Sequence, residues 1–128
     1  MLWTAALETG IPKIDQQHQA LFRQADILMD ASQKDRIPDT LDFLGRYVFK
    51  HFNDEEVMHA AVKYPKAATH KEMHRQFITT FKNLKKKYEE SKQSLAIAME
   101  INKVVVGWLK EHIMVQDKDF ARYYQSRG

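Results

Sequence analysis

Apolar residues recur along this chain at intervals of three and four, the repeat of an α-helix with one buried face. Ile14, His18, Leu21, Phe22, Ala25, Leu28 and Met29 form the first stripe and predict a helix over about residues 13 to 34. Leu41, Leu44, Val48, His51, Phe52, Glu55 and Met58 predict a second. Pro38 suits its first residue, where the missing N–H costs nothing. Pro65 disfavours the α conformation at Tyr64, so a boundary falls there. His70, His74, Phe77, Ile78, Phe81, Leu84 and Tyr88 predict a third helix over about residues 67 to 89. The clearest stripe is Ile101, Val104, Val105, Trp108, Leu109, His112 and Ile113, with Ser94 and Ser91 as rival caps in front of it. Gly107 in that stretch is expected to let a neighbouring helix approach closely. An irregular lead precedes the first stripe, with Trp3 expected to plug one end of the bundle, and a short C-terminal segment carries Phe120, Tyr123 and Tyr124. No repeat, low-complexity tract or domain boundary interrupts this pattern. The expectation is an all-α, up-down-up-down antiparallel four-helix bundle forming one domain over residues 1–128.

Composition narrows the function classes. The chain is 44% hydrophobic and 29% charged, which suits an ordinary globular domain. No apolar run is long enough to span a bilayer. The first ten residues lack the basic start and apolar centre of a signal peptide, so a cytoplasmic location is expected. The net charge is +3, and the densest basic run, Lys82 to Lys87, is followed at once by Glu89 and Glu90. That run reads as a solvated helix face rather than a nucleic-acid surface. There is no cysteine, so a bound metal would have to be held by histidines and carboxylates.

Those residue types fall on the buried stripes. His51 and Glu55 are four residues apart, as are His70 and His74. On a helix such pairs lie about 40° apart on one face. His18 and His112 sit on the first and fourth stripes. A lone histidine on an apolar face is unremarkable, but five with a carboxylate, converging in a small bundle, are hard to explain as packing. A buried Glu55 must be protonated, paired or bound to a cation. Asp54 and Glu56 fall off the stripe and are expected to be solvated. His59 continues the His51–Glu55 line and is expected at the bundle end or behind a ligand. Asp117 follows His112 by five residues, which on an α-helix is about 140° of rotation. Only a π-bulge or a loosened helix end would aim both at one point. Asp119 is no better placed.

Taken together, the chain resembles the hemerythrin family, particularly its single-domain bacterial members. The resemblance rests on Trp3, Ile14-Asp15 with Gln17-His18, His51-Phe52 with Glu55-Glu56 and Met58, Tyr64-Pro65, His70 with His74 and Phe77, Trp108-Leu109 with His112-Ile113, and Asp117. It implies a non-haem di-iron site with a solvent-derived oxo or hydroxo bridge, binding O2 reversibly for carriage or storage. One iron would be held by His70, His74 and His112, the other by His18 and His51, with Glu55 and Asp117 bridging. Helical spacing puts Leu21, Trp108 and Leu109 on the ligand-bearing faces. The resemblance adds Phe52 and Ile113 and places all five around the O2 position.

Three other readings compete. A ferritin-like di-iron oxidase uses Glu-x-x-His pairs and more carboxylate than this chain offers. A zinc protease needs Glu directly after the first histidine, whereas Lys71 follows His70. With Glu55 taken up in bridging, no general base is left in the pocket, and no enzymatic activity is expected. The third alternative is a domain, such as one cut from a longer signalling protein, that senses O2, NO or redox state; a signalling or an oxygen-consuming protein is the partner class to expect. O2 itself is the expected ligand, and neither nucleic acid nor membrane is.

Overall fold

A computed structural model describes residues 3–127, so the first two residues of the expected lead lie outside it. Helix α1 spans Pro12–Ile27, α2 Ile37–Ala61, α3 Ala67–Glu90 and α4 Leu95–His112. A π-helical turn, Ile113–Asp117, joins α4 to a short α5, Lys118–Arg127. A 3-10 turn, Ala5–Leu7, precedes α1, and a 3-10 segment, Ala31–Arg36, kinked at Gln33, precedes α2. Helices adjacent in sequence pack on one another and α4 packs back on α1, which closes a four-helix bundle.

The ends of the helices follow from local chemistry. Pro12 opens α1, and Asp15 in its first turn accepts from Thr9 N–H at 2.8 Å and Gly10 N–H at 3.1 Å. Gly10 has φ +86°, a backbone conformation that favours glycine, where the lead turns beneath α5. The first helix is shorter than its stripe suggests. It ends at Ile27 because the Asp30 carboxylate captures Ser32 N–H at 2.9 Å and starts a separate turn. Leu28 remains buried, but Met29 is exposed and does not face the core. Pro38 is the second residue of α2, one later than expected. Lys63, with φ 54°, reverses the chain after α2, and Tyr64 N–H reaches back to His59 C=O at 2.9 Å. Both serines between α3 and α4 are used. Ser94 accepts from Ile97 N–H at 3.4 Å as the cap, while Ser91 accepts from Ser94 N–H at 3.1 Å and holds the turn.

The core has two parts. A large cluster includes Leu21, Phe22, Leu44, Phe52, Phe77, Ile101, Leu109 and Ile113, with Trp3 packed against it half-buried. A small one contains Ile11, Ile14, Tyr64, Phe120 and Ala121. The buried histidines and carboxylates form a layer between them. On α1, His18 lies between Ile14 and Leu21, and on α2 and α3 the same order runs through His51, Glu55, His70 and His74. Gly107 does not serve close approach, since it is exposed and a Cβ there would meet nothing within 4 Å. Gly45 has that role instead, with Phe81 3.3 Å from where its Cβ would be. Among the described residues no helix is long and apolar enough to cross a membrane.

Candidate metal centre

Every ligand-type residue expected from the sequence is in one place. His18 comes from α1, His51 and Glu55 from α2, His70 and His74 from α3, His112 from the end of α4 and Asp117 from the π-helical turn, and none is more than 3% exposed. Single ligand atoms of Glu55, His70, His74, His112 and Asp117 all lie within 4.8 Å of one another. So do single atoms of His18, His51, Glu55 and Asp117. The two groups share both carboxylates.

Asp117 spans them. Its Oδ1 is 3.0 Å from His70 Nε2 and 3.2 Å from His112 Nε2, while Oδ2 is 3.0 Å from His18 Nε2. Glu55 Oε1 is 3.0 Å from His70 Nε2 and 3.2 Å from His74 Nε2. His112 Nε2 is 2.7 Å from His70 Nε2 and 3.1 Å from His74 Nε2. Three imidazole nitrogens converging this tightly cannot each be satisfied by a proton on a neighbour. The oxygens of Glu55 and Asp117 and both nitrogens of His18 are buried with no well-directed hydrogen bond among the described residues. Two buried carboxylates without donors are costly unless a cation lies between them. This donor set, imidazole with bridging carboxylate, fits one or two borderline divalent ions.

The electrostatics agree. Burial alone would raise the Asp117 carboxyl, but His112, His18 and His70 pull it well below the usual carboxylate range. Burial alone would lower His70, yet Asp117 and Glu55 raise it to about 9. The carboxylates thus draw positive charge into the layer. Burial, and repulsion from neighbouring histidines, depress His51 and His74 to about 3, which leaves their lone pairs available at neutral pH.

Polar residues behind the ligands were not legible as such. His51 Nδ1 donates to Gln17 Oε1 at 2.6 Å, and Gln17 Nε2 donates to Asp54 Oδ2 at 2.9 Å. Lys50 holds the same Asp54 oxygen at 2.8 Å. His74 Nδ1 donates to Glu56 Oε2 at 2.9 Å. Each contact turns the Nε2 of its histidine towards the centre. Asp54 and Glu56 were expected to be solvated, and that expectation is corrected. Both sit at a helix seam, one residue away from a ligand-bearing face, and are only about one-fifth to one-quarter exposed. The signal available was position: Gln17 directly precedes His18, and Glu56 directly follows Glu55. His59 lies outside both groups. Its ring is 4.5 Å from that of His70 and 4.3 Å from Phe120, at the small-cluster side of the layer.

On the other side the layer is walled by apolar groups. The Phe52 ring stacks on His74 with centroids 3.8 Å apart and planes within 2°. Trp108 stacks on His112 at 4.3 Å and 13°. Leu21, Leu109 and Ile113 are fully buried in the same cluster as Phe52, and half-buried Trp108 packs against it.

Comparison with known proteins gives one family. The model of the hemerythrin HHE cation binding domain matches residues 9–124. A bacteriohemerythrin of Clostridium acetobutylicum is 33% identical, over 93% of this chain and 97% of the relative. A myohemerythrin of Theromyzon tessulatum is 30% identical, over 90% of this chain and 86% of the relative. A crystal structure of a wild-type hemerythrin superposes with a TM-score of 0.82 at 29% identity, covering 97% of each chain.

Proposed function

This chain belongs to the hemerythrin family, and on that premise we propose that it is a di-iron protein that binds O2 reversibly, for carriage or storage. The observation that carries the proposal is the pair of buried donor groups sharing Glu55 and Asp117. His70, His74 and His112 would hold one iron, His18 and His51 the other, and the two shared carboxylates would bridge. The allocation is supported by the split of Asp117, whose two oxygens face histidines of different groups. It is supported too by the unequal donor count, which leaves the two-histidine side short of a protein ligand. Reduced iron bound there would supply electrons and an open position for a small ligand.

The protein's own residues then do three things. Glu55 and Asp117 offset the charge of the ions in a buried layer. Gln17 and Glu56 fix the tautomer and orientation of His51 and His74. Leu21, Phe52, Trp108, Leu109 and Ile113 would exclude water from the ligand position, which slows the proton-assisted loss of electrons to O2. The test is anaerobic reduction of the iron-loaded protein, exposure to O2, and removal of O2 under argon. The expected result is a visible absorption band that appears with O2, disappears under argon and returns over several cycles. Immediate, irreversible oxidation with no such band would overturn the carrier reading.

A further inference from the structure

We propose that the groove between α2 and α3 is a docking face for an acidic electron-transfer protein that restores the metal pair to its reduced state. This rests on the di-iron reading above, because a centre that meets O2 in the reduced state lapses at intervals to the oxidised one. Recovery then needs two electrons, one for each ferric ion, delivered by two one-electron donors with any charge balance made up by protons from solvent.

The groove is marked by Phe49, which at 63% exposure is the most exposed large apolar side chain among the described residues. It stands between two hollows in the α2–α3 seam. One, of about 400 Å³, has Phe49, Ile78 and Phe81 in its lining. The other, of about 280 Å³, also includes Phe49 but reaches Phe52 and His74. Phe52 stacks on the His74 imidazole, whose Nε2 belongs to the three-histidine group. A donor seated on Phe49 therefore covers the hollow that Phe52 and the ligand His74 also line.

The charge around the groove selects the partner. Arg46, Lys71 and Lys82 line it with no ion-pair partner among the described residues. Asp42 is paired with Lys85 at 2.6 Å and Glu72 with Arg75 at 2.9 Å, while Glu56 accepts from the neutral His74 ring at 2.9 Å and keeps its charge, so the cations of the groove still outnumber its acids. A second copy of this chain placed face to face would oppose cation to cation. An acidic surface around an apolar contact is the complement. Another surface hollow that touches a ligand, beside His70 and Met114, lacks this feature, since Lys66 and Arg122 both pair with Asp119 at 3.4 Å.

The probe is a strongly acidic [2Fe–2S] ferredoxin. Binding of its oxidised form is followed by amide shifts, and reduction of the di-ferric protein by its reduced form is followed by stopped flow, with dithionite as a second reductant. Amide shifts confined to the Phe49 groove are expected. The ferredoxin rate should fall about tenfold as salt is raised from low to physiological strength and beyond. In the double variant Arg46→Glu/Lys82→Glu the low-salt acceleration should vanish or invert, with the rate at high salt little changed. Phe49→Ser should slow reduction while keeping the salt slope. Neither should alter iron content or the dithionite rate. No binding, shifts located elsewhere, or an equal loss in the control Lys103→Glu/Lys110→Glu on α4 would overturn the proposal. A protein that carries no iron or never binds O2 would instead count against the di-iron reading, and the shift measurement would still decide whether the groove binds an acidic partner.

Discussion

Asp117 Oδ1 lies 3.2 Å from His112 Nε2 although the two are five positions apart, because the turn between them is π-helical. An α-helical turn would have swung the carboxylate about 140° away. The extra residue per turn brings it back over the histidine.

Replacement of Asp117 tests this link without disturbing the core. Asp117→Asn keeps the shape and removes the charge. Burial lowers His70, and Asp117 together with Glu55 carries it to about 9. In the metal-free variant His70 should therefore titrate clearly lower, as read by NMR. Iron bound per chain should fall in the same variant. An unmoved His70 titration would show that Asp117 is not what holds the proton.

Glu56 and Glu55 should differ in kind. Glu55→Ala removes a carboxylate common to both donor groups, and iron binding should be largely lost. Glu56→Ala removes only the acceptor 2.9 Å from His74 Nδ1. Loss of such a contact weakens metal binding about 10- to 100-fold. Competition with a chelator of known affinity measures both. A silent Glu56 variant would mean that packing against Phe52 alone orients His74.

The two glycines of the bundle should respond unequally. Gly107→Ala adds a methyl group into open space on a helix and should stabilise by about 0.5–1 kcal/mol. Gly45→Ala would press a Cβ to 3.3 Å from Phe81 and should offset or reverse that gain. Thermal unfolding of the two variants beside the parent decides the matter.

The metal-free protein should be acid-labile well above the carboxylate range. Burial, with repulsion from neighbouring histidines, depresses His51 and His74 to about 3 and His59 to about 4. In the unfolded chain these groups titrate at 6.5. As the pH falls below that value the unfolded chain takes up protons that the folded one refuses. Each such histidine then costs up to about 1.4 kcal/mol per pH unit. His70 acts the other way: its contribution is complete below 6.5 and is lost as pH rises through about 9. Melting temperature against pH for the metal-free protein should therefore drop steeply from 6.5 towards 4 and decline gently on the alkaline side. A flat acid limb between 6.5 and 4.5 would contradict the assignment of neutral buried histidines.

Much of this molecule is legible in its sequence, for identifiable reasons. Helix-period stripes expose which residues face inward, so His18, His51, Glu55, His70, His74 and His112 announce themselves as polar groups in apolar positions. Asp117 does not, because the same periodicity argument points it away, and only the family pattern restores it. Met29 was misplaced because a single side-chain contact from Asp30 to the backbone ends α1 early, and periodicity carries no information about such competition. Gln17, Asp54 and Glu56 escaped because a residue on a helix seam looks solvated when one helix is read at a time. Their partners lie on another helix, 34 residues away for Gln17 and His51.

The ligand layer divides the apolar core, and this bears on how the molecule folds as a whole. Ile11, Ile14, Tyr64, Phe120 and Ala121 are too few to sustain a folded unit by themselves, and without ions they join the larger cluster across a sheet of mutually repelling or unpaired polar groups. Ions that draw ligands from all four helices would rivet the two halves into one cooperative unit. Their loss should loosen the end that holds α5 first, and amide hydrogen exchange should reveal it as a gradient across the layer, with the Leu44–Ile101 half still protected.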